Sequence, residues 1–92
     1  MWTPTRDAHY SYRMGVRLST ETDSQRMAAV GANIRELRES AGESKAVAAS
    51  AMGMTRQFLR GVEAGERNVS LERLFDIADH YGVKVARLLE GA

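Results

Sequence analysis

Two different spacings of apolar residues divide the chain into a short arm and a longer helical region. Within residues 9–18, apolar and polar side chains alternate one by one, which is typical of a strand with one buried face. From Ser24 onward, apolar residues recur every three or four positions, the spacing of an amphipathic helix. The pattern therefore predicts an N-terminal arm at residues 1–20, with a strand at 9–18, followed by a mainly α domain at residues 21–92.

Five short helices are predicted between residues 24 and 90, separated by residues that suit helix ends. Asp23 or Ser24 is expected to cap the first helix, and Ser44, Thr55 and Ser70 are expected to begin the next three. Glycine adopts a positive φ cheaply and is common just after a helix. Four glycines occupy such positions: Gly42, Gly53, Gly65 and Gly82.

The apolar positions of the five helices predict a single shared core. The first helix is expected to contribute Met27, Val30, Ile34, Leu37 and Ala41, the second Val47, Ala48, Ala51 and Met52, the third Phe58, Leu59 and Val62, the fourth Leu71, Leu74, Phe75, Ala78 and Tyr81, and the fifth Val85, Leu88 and Leu89. Glu63 and Glu66 are expected to be helix-cap and solvent charges, and His80 an ordinary residue at a helix end.

Residues 44–62 predict two helices joined by a tight turn. Gly53 lies at the turn, where a positive φ is expected, and Ala49 lies where the two helices would cross closely. Leu59 and Val62 are expected to hold the second of these helices against the first. This layout is that of a helix-turn-helix.

Composition excludes several other classes of protein. The chain has 92 residues, about one domain, and contains no cysteine, so a disulfide scaffold, a thiolate zinc site and a cysteine nucleophile are excluded. It has no apolar run long enough for a membrane span, no glycine-rich phosphate loop and no arrangement of catalytic side chains. We expect no enzymatic activity, no cofactor, no metal site and no membrane partner, and we expect a cytoplasmic, nucleoid-associated protein.

The net charge gives no general argument for binding nucleic acid. The chain carries 13 basic and 12 acidic residues, a formal charge of +1. Three arginines against one aspartate give residues 1–20 a charge of +2, and 10 basic against 11 acidic groups leave residues 21–92 at −1. An interface with DNA must therefore come from a local arrangement of side chains.

Residues 34–89 resemble the Cro/repressor-type (Xre-like) helix-turn-helix domain of bacterial and phage regulators. The resemblance rests on the segments IRELRESAG, ESKAVAASAMGM, TRQFLRGVEAGERNVSL and LFDIADHYGVKVARLL. The run GVEAGERNVSL also looks like the controller proteins of restriction–modification systems. The chain departs from the family in having Ala48 where a large aliphatic residue is usual and Lys45 where glutamine is common. The resemblance implies a five-helix, sequence-specific DNA-binding domain.

The side chains of this segment suit contact with both bases and phosphates. Arginine can bind guanine, and glutamine adenine, through two hydrogen bonds each, and the first residues of a recognition helix make most base contacts. The predicted base-reading residues are Thr55, Arg56, Gln57 and Arg60. Helix N-termini and the loop after the third helix suit phosphates. The predicted phosphate contacts are Ser44, Lys45, Arg67, Asn68 and Ser70.

The favoured function is a homodimeric transcriptional regulator that binds a palindromic operator. The predicted dimer interface contains Val85, Leu88 and Leu89 of the fifth helix and Tyr10 and Tyr12 of the arm. The alternative is an antitoxin or other interaction module whose arm pairs with a partner protein such as a toxin. Three interpretations of the arm are open: a two-stranded ribbon between subunits, a disordered tail, or a basic arm that follows DNA phosphates.

Overall fold

The computed structural model describes residues 20–92, and all regular structure in this part of the chain is helical. The five helices are α1 (Thr20–Ser40), α2 (Lys45–Ala51), α3 (Arg56–Glu63), α4 (Leu71–Tyr81) and α5 (Val85–Leu88). The predicted strand at 9–18, and with it Tyr10 and Tyr12, lies outside the described residues. No helix among residues 20–92 is both long and apolar enough to span a bilayer.

Three of the predicted N-terminal caps are confirmed. The side-chain oxygens of Ser44, Thr55 and Ser70 each accept a hydrogen bond from the backbone N–H three residues later, at 3.0–3.1 Å. Each bond satisfies an N–H that has no partner within its own helix. The predicted glycine ends are confirmed as well, because all four adopt a positive φ between 67° and 75°.

The predicted beginning of the first helix is wrong. The helix begins at Thr20, so both proposed caps, Asp23 and Ser24, lie inside it. The residues TETD are polar, but acidic residues are favourable in a first helical turn because they face the positive end of the helix dipole. Polar composition therefore did not mark the boundary.

The side-chain amide of Asn33, on α1, binds the C-terminal end of the short helix α5. The Asn33 Nδ2 atom donates to the backbone oxygens of Leu88, at 2.9 Å, and of Glu90, at 2.8 Å. These bonds satisfy carbonyls at a helix C-terminus, where helical partners are missing. The helix thus ends at Leu88, earlier than its apolar pattern predicts.

The core lies between α1 and the other helices, directly behind α2 and α3. Its fully buried large side chains are Ile34, Leu59, Ile77, Leu88 and Val62. Ala49, on α2, is 1% exposed, as expected for a position at which two helices cross closely. Helix α3 contacts both α1 and α2, so its position is fixed from two sides.

The predicted inward face of α2 is only partly right. Ala48 and Met52 are buried, but Val47 is 57% exposed and Ala51 is also exposed. Because α2 has only seven residues and contacts α3 along one side, its buried stripe is narrow. Ala41 is exposed as well, because it follows the last residue of α1 rather than lying on its inner face.

The predicted inward face of α4 is rotated from the observed one. Leu71 and Phe75 are 62% and 51% exposed, whereas Ile77, which the prediction left out, is completely buried. Leu74 and Tyr81 pack partly buried against the core. The sequence of α4 contains two overlapping apolar stripes with helical spacing, one with Leu71 and Phe75 and one with Ile77. The packing of α4 against α1 and α5 buries the stripe with Ile77.

Helix α1 approaches the C-terminal end of α3 closely. A Cβ atom added to Gly31 would collide with the backbone oxygens of Val62 and Glu63, and one added to Gly65 would lie 2.8 Å from the Cα atom of Ala28. Only glycine fits at such an approach of two backbones. This contact determines how closely α3 packs against α1.

Candidate nucleic-acid interface

The four predicted base-reading residues lie together at the start of α3. Thr55, Arg56, Gln57 and Arg60 are all exposed and line one open depression of about 450 Å³. Thr55 uses its hydroxyl oxygen to cap the helix, which leaves its hydroxyl hydrogen as a donor. The depression has no acidic side chain in its lining. It therefore presents hydrogen-bonding groups and positive charge without local repulsion of an anion.

The opposite side of α3 holds these side chains outward. Leu59 is completely buried and Val62 is 2% exposed, so the helix cannot rotate without exposing apolar surface. Phe58 packs partly buried against the core on the same side of the helix. The orientation of Arg56 and Arg60 is thus a consequence of core packing.

A buried ion pair fixes the C-terminal end of α3. The Arg38 Nε atom lies 2.7 Å from Oε2 of Glu63, and Nη2 lies 3.1 Å from Oε1, with both side chains almost fully buried. The hydrogen bond with the carboxylate raises the pKa of Arg38, so the guanidinium remains charged. The prediction that Glu63 is a solvent charge is wrong, because its side chain turns inward to pair with α1.

Two of the predicted phosphate contacts lie at the N-terminus of α2. The Ser44 hydroxyl caps the helix by accepting from Val47 N at 3.1 Å, and its hydrogen is free to be donated outward. Lys45, the first residue of α2, is half-buried. Both positions suit an anion, since backbone N–H groups at a helix start also point toward solvent.

The other predicted phosphate contacts lie in the loop between α3 and α4. Arg67 crosses Gly61, and its guanidinium lies 5.9 Å from the centroid of the Phe58 ring. This cation–π arrangement holds the arginine against α3 although it is exposed. Asn68 is exposed, and Ser70 caps α4 through a hydrogen bond with Arg73 N.

A polar cluster that the sequence analysis missed supports the α1–α2 loop. The Glu43 carboxylate lies 2.9 Å from His80 Nε2 and accepts a hydrogen bond from the Tyr81 hydroxyl at 3.0 Å. The Glu43 carbonyl accepts from Arg38 Nη1 at 2.8 Å. Since Glu43 directly precedes Ser44, the cluster places the start of α2. No sequence signal marks it, because 37 residues separate Glu43 from His80.

The Tyr81 hydroxyl gives the domain an expected sensitivity to alkali. Burial, followed by the hydrogen bond to Glu43, raises the pKa of Tyr81 above its ordinary value of 10.0. The unfolded chain therefore loses this proton at a lower pH than the folded one, so the stabilisation is complete below pH 10 and is lost as the pH rises further. We expect a steeper fall in the free energy of unfolding between pH 10 and 11 for the parent than for Tyr81→Phe, as measured by urea unfolding. Equal slopes would contradict this.

The predicted dimer residues of α5 do not share one environment. Leu88 is completely buried within its own subunit and Val85 packs half-buried on the core, so the assignment of Leu88 to an interface is wrong. Leu89 is 43% exposed. The large apolar side chains that α4 exposes are Leu71 and Phe75, which the sequence pattern predicts to be in the core.

The described fold matches a known family over most of its length. A family model described as a helix-turn-helix domain matches residues 29–90, which include α2, α3 and the turn between them. The chain belongs to the helix-turn-helix family. The Xre-like resemblance of residues 34–89 is thereby confirmed, and the chain is a DNA-binding regulator of this kind. No curated protein sequence gives a significant match.

Three solved structures are similar to this helix-turn-helix protein. The restriction-modification controller protein C.AhdI from Aeromonas hydrophila is 34% identical, with a TM-score of 0.65, over 67% of this chain and 94% of that one. The clp gene regulator ClgR from C. glutamicum is 31% identical, with a TM-score of 0.63, over 70% and 82%. A hypothetical transcription factor, NHTF, from Neisseria is 30% identical, with a TM-score of 0.65, over 82% and 84%.

Proposed function

We propose that this protein is a transcriptional regulator that binds a palindromic operator as a homodimer and controls a restriction–modification system. The observation that carries the proposal is the depression at the start of α3, where four polar side chains lie together on the exposed side. The similarity to the C.AhdI controller, which extends over 94% of that protein, supports the regulatory role.

The side chains of α3 determine how the operator would be read. Arg56 and Arg60 lie one turn apart and can each donate two hydrogen bonds to guanine O6 and N7. Gln57 can pair in the same way with adenine. Helix α3 enters the major groove by its N-terminal end, while the starts of α2 and α4 hold the phosphates on either side of the groove.

An apolar surface on α4 and α5 is the proposed dimer interface. Leu71 and Phe75 of α4, and Leu89 directly after α5, expose between 43% and 62% of their area, and α4 contacts α5. A contiguous apolar patch on a surface marks an interaction site, and we propose that these three side chains form one. For both subunits to bind one face of the DNA, a two-fold axis at this surface would have to place two copies of α3 about 34–36 Å apart, which is one turn of DNA.

Selection from random DNA, followed by the mass of the resulting complex, tests the proposal. We expect an inverted repeat with half-site centres about one helical turn apart, bound by two protein chains. Enrichment of a single half-site bound by one chain would overturn the homodimer. Failure to enrich any sequence would overturn the whole proposal.

Removing Arg56 is expected to relax one base preference. Arg56→Ala should weaken binding to the selected operator by about 1–3 kcal/mol and lower the preference for guanine at one position in each half-site. Arg87→Ala is the matched control, because it removes the same charge from α5, where Arg87 pairs with Glu36. A repeated selection gives the comparison. An unchanged base preference would remove Arg56 from the base-reading set.

A charge at Leu89 is expected to separate the subunits. Leu89→Glu places a carboxylate in the apolar contact and should weaken the dimer by at least about 2 kcal/mol, since a buried charge needs a partner. Val47→Glu is the control, because Val47 is similarly exposed but lies on α2. Light scattering should then give a monomer mass for the first variant and a dimer mass for the second. A Leu89→Glu dimer would place the interface elsewhere.

A further inference from the structure

Arg73, on the first turn of α4, reaches back to the turn of the helix-turn-helix. Its Nη1 atom donates to the backbone oxygens of Met52 and Gly53, each at 3.4 Å. These carbonyls belong to the C-terminal end of α2, which carries a partial negative charge. The guanidinium therefore covers an end of a helix that would otherwise repel an anion.

The cleft beside Arg73 adjoins the base-reading depression. Gly53, Met54, Thr55, Phe58 and Arg73 line this open cleft of about 450 Å³. Thr55 lines both the cleft and the depression of α3, so the two share an edge. If DNA binds with its bases against α3, as proposed above, its sugar–phosphate backbone would pass this edge.

The guanidinium of Arg73 retains donors for a ligand. Within residues 20–92, its Nε and Nη2 atoms have no hydrogen-bond partner, and the arginine makes no ion pair with Asp76, one turn later on α4. Asp76 instead lines the neighbouring cleft with Asp79 and His80. A planar guanidinium with two unused nitrogens matches the geometry of a phosphate, which accepts two parallel hydrogen bonds.

We infer that Arg73 binds a phosphate of the operator backbone at the edge of the groove while it fastens the turn to α4. This inference rests on the proposed DNA-binding function and adds a contact beyond the residues that the sequence indicates. Nη1 holds the turn, and the other two nitrogens bind the phosphate. The residue thus positions α3 and anchors the DNA beside it, without reading a base.

The salt dependence of operator binding tests this inference. Arg73→Gln should weaken binding about tenfold and lower the slope of log K against log salt by about 1, with the selected sequence unchanged. Arg87→Gln, which removes the same charge from α5, should keep the parent slope. A fall in melting temperature with an unchanged slope would overturn the phosphate contact and leave only a structural clamp.

Replacing single phosphates of the operator by neutral methylphosphonates identifies the phosphate that Arg73 binds. This experiment tests the inference even if Arg73→Gln does not fold. In the parent, one such replacement in each half-site should clearly lower the affinity for the operator. In Arg73→Lys the same replacement should lower the affinity less, because lysine cannot bind a phosphate in a bidentate manner. Equal costs at every phosphate in both proteins would overturn the inference alone. A parent that binds no DNA would overturn the proposed function together with it.

Discussion

Replacing Glu63 with alanine is expected to cost about 3–5 kcal/mol in the free energy of unfolding, because it leaves the buried Arg38 guanidinium without a counter-charge. A domain of this size loses roughly 4–8 °C in melting temperature for each kcal/mol, so much of the variant should be unfolded at growth temperature. Only folded protein presents α3 to DNA, so operator binding should fall in proportion to the folded fraction. Thermal unfolding followed by circular dichroism measures the effect.

Two further variants separate the buried ion pair from a general effect of charge. Glu36→Ala removes an exposed partner of Arg87 and should change stability by less than about 0.5 kcal/mol. The double variant Arg38→Met with Glu63→Leu removes both charges and should be clearly more stable than Glu63→Ala. A loss below about 1 kcal/mol for Glu63→Ala would show that water reaches Arg38 and that the pair is not a main anchor of α3.

Replacing Gly31 with alanine is expected to destabilise the domain by about 3 kcal/mol, although alanine ordinarily favours a helix. The added Cβ atom would collide with the Val62 carbonyl oxygen and would lie 2.5 Å from that of Glu63. Both are backbone atoms at the end of α3, so relief requires α1 and α3 to separate. Urea unfolding of the variant and the parent gives the difference.

Gly53→Ala is the matched control for this clash. Gly53 has a φ of 71°, and a Cβ atom added there meets nothing within 4 Å, so only backbone strain of about 1–2 kcal/mol is expected. The Gly31 variant should therefore lose more stability and also lose operator affinity at equal folded fraction, because α3 is displaced. Equal losses for the two variants would contradict a rigid approach of α1 to α3.

Local signals in the sequence were enough to predict the helix-turn-helix and the exposed residues of α3. Caps at Ser44, Thr55 and Ser70 depend on a hydroxyl and the next three backbone groups, all of which lie within one turn. The positive φ at Gly53 is equally local. The roles of residues whose interactions lie within one helical turn could thus be predicted without knowledge of the fold.

Only the tertiary structure decided which residues become buried where two apolar stripes compete. In α4, one stripe contains Leu71 and Phe75 and the other contains Ile77, and both have helical spacing. The choice depends on how α4 lies against α1 and α5, which is a property of the whole packing. The same is true of Leu88, whose complete burial makes it a core residue rather than an interface residue.

The polar contacts that orient the DNA-facing elements join residues far apart in the chain. Arg38 and Glu63 are separated by 25 residues, Glu43 and His80 by 37, and Arg73 lies 21 residues from Met52. Such a pair leaves no periodic trace, because each side chain alone is compatible with a solvated surface. The sequence therefore predicted the helices, their caps and the exposed groups on α3, whereas three-dimensional packing determined the charge partners that hold this helix in place.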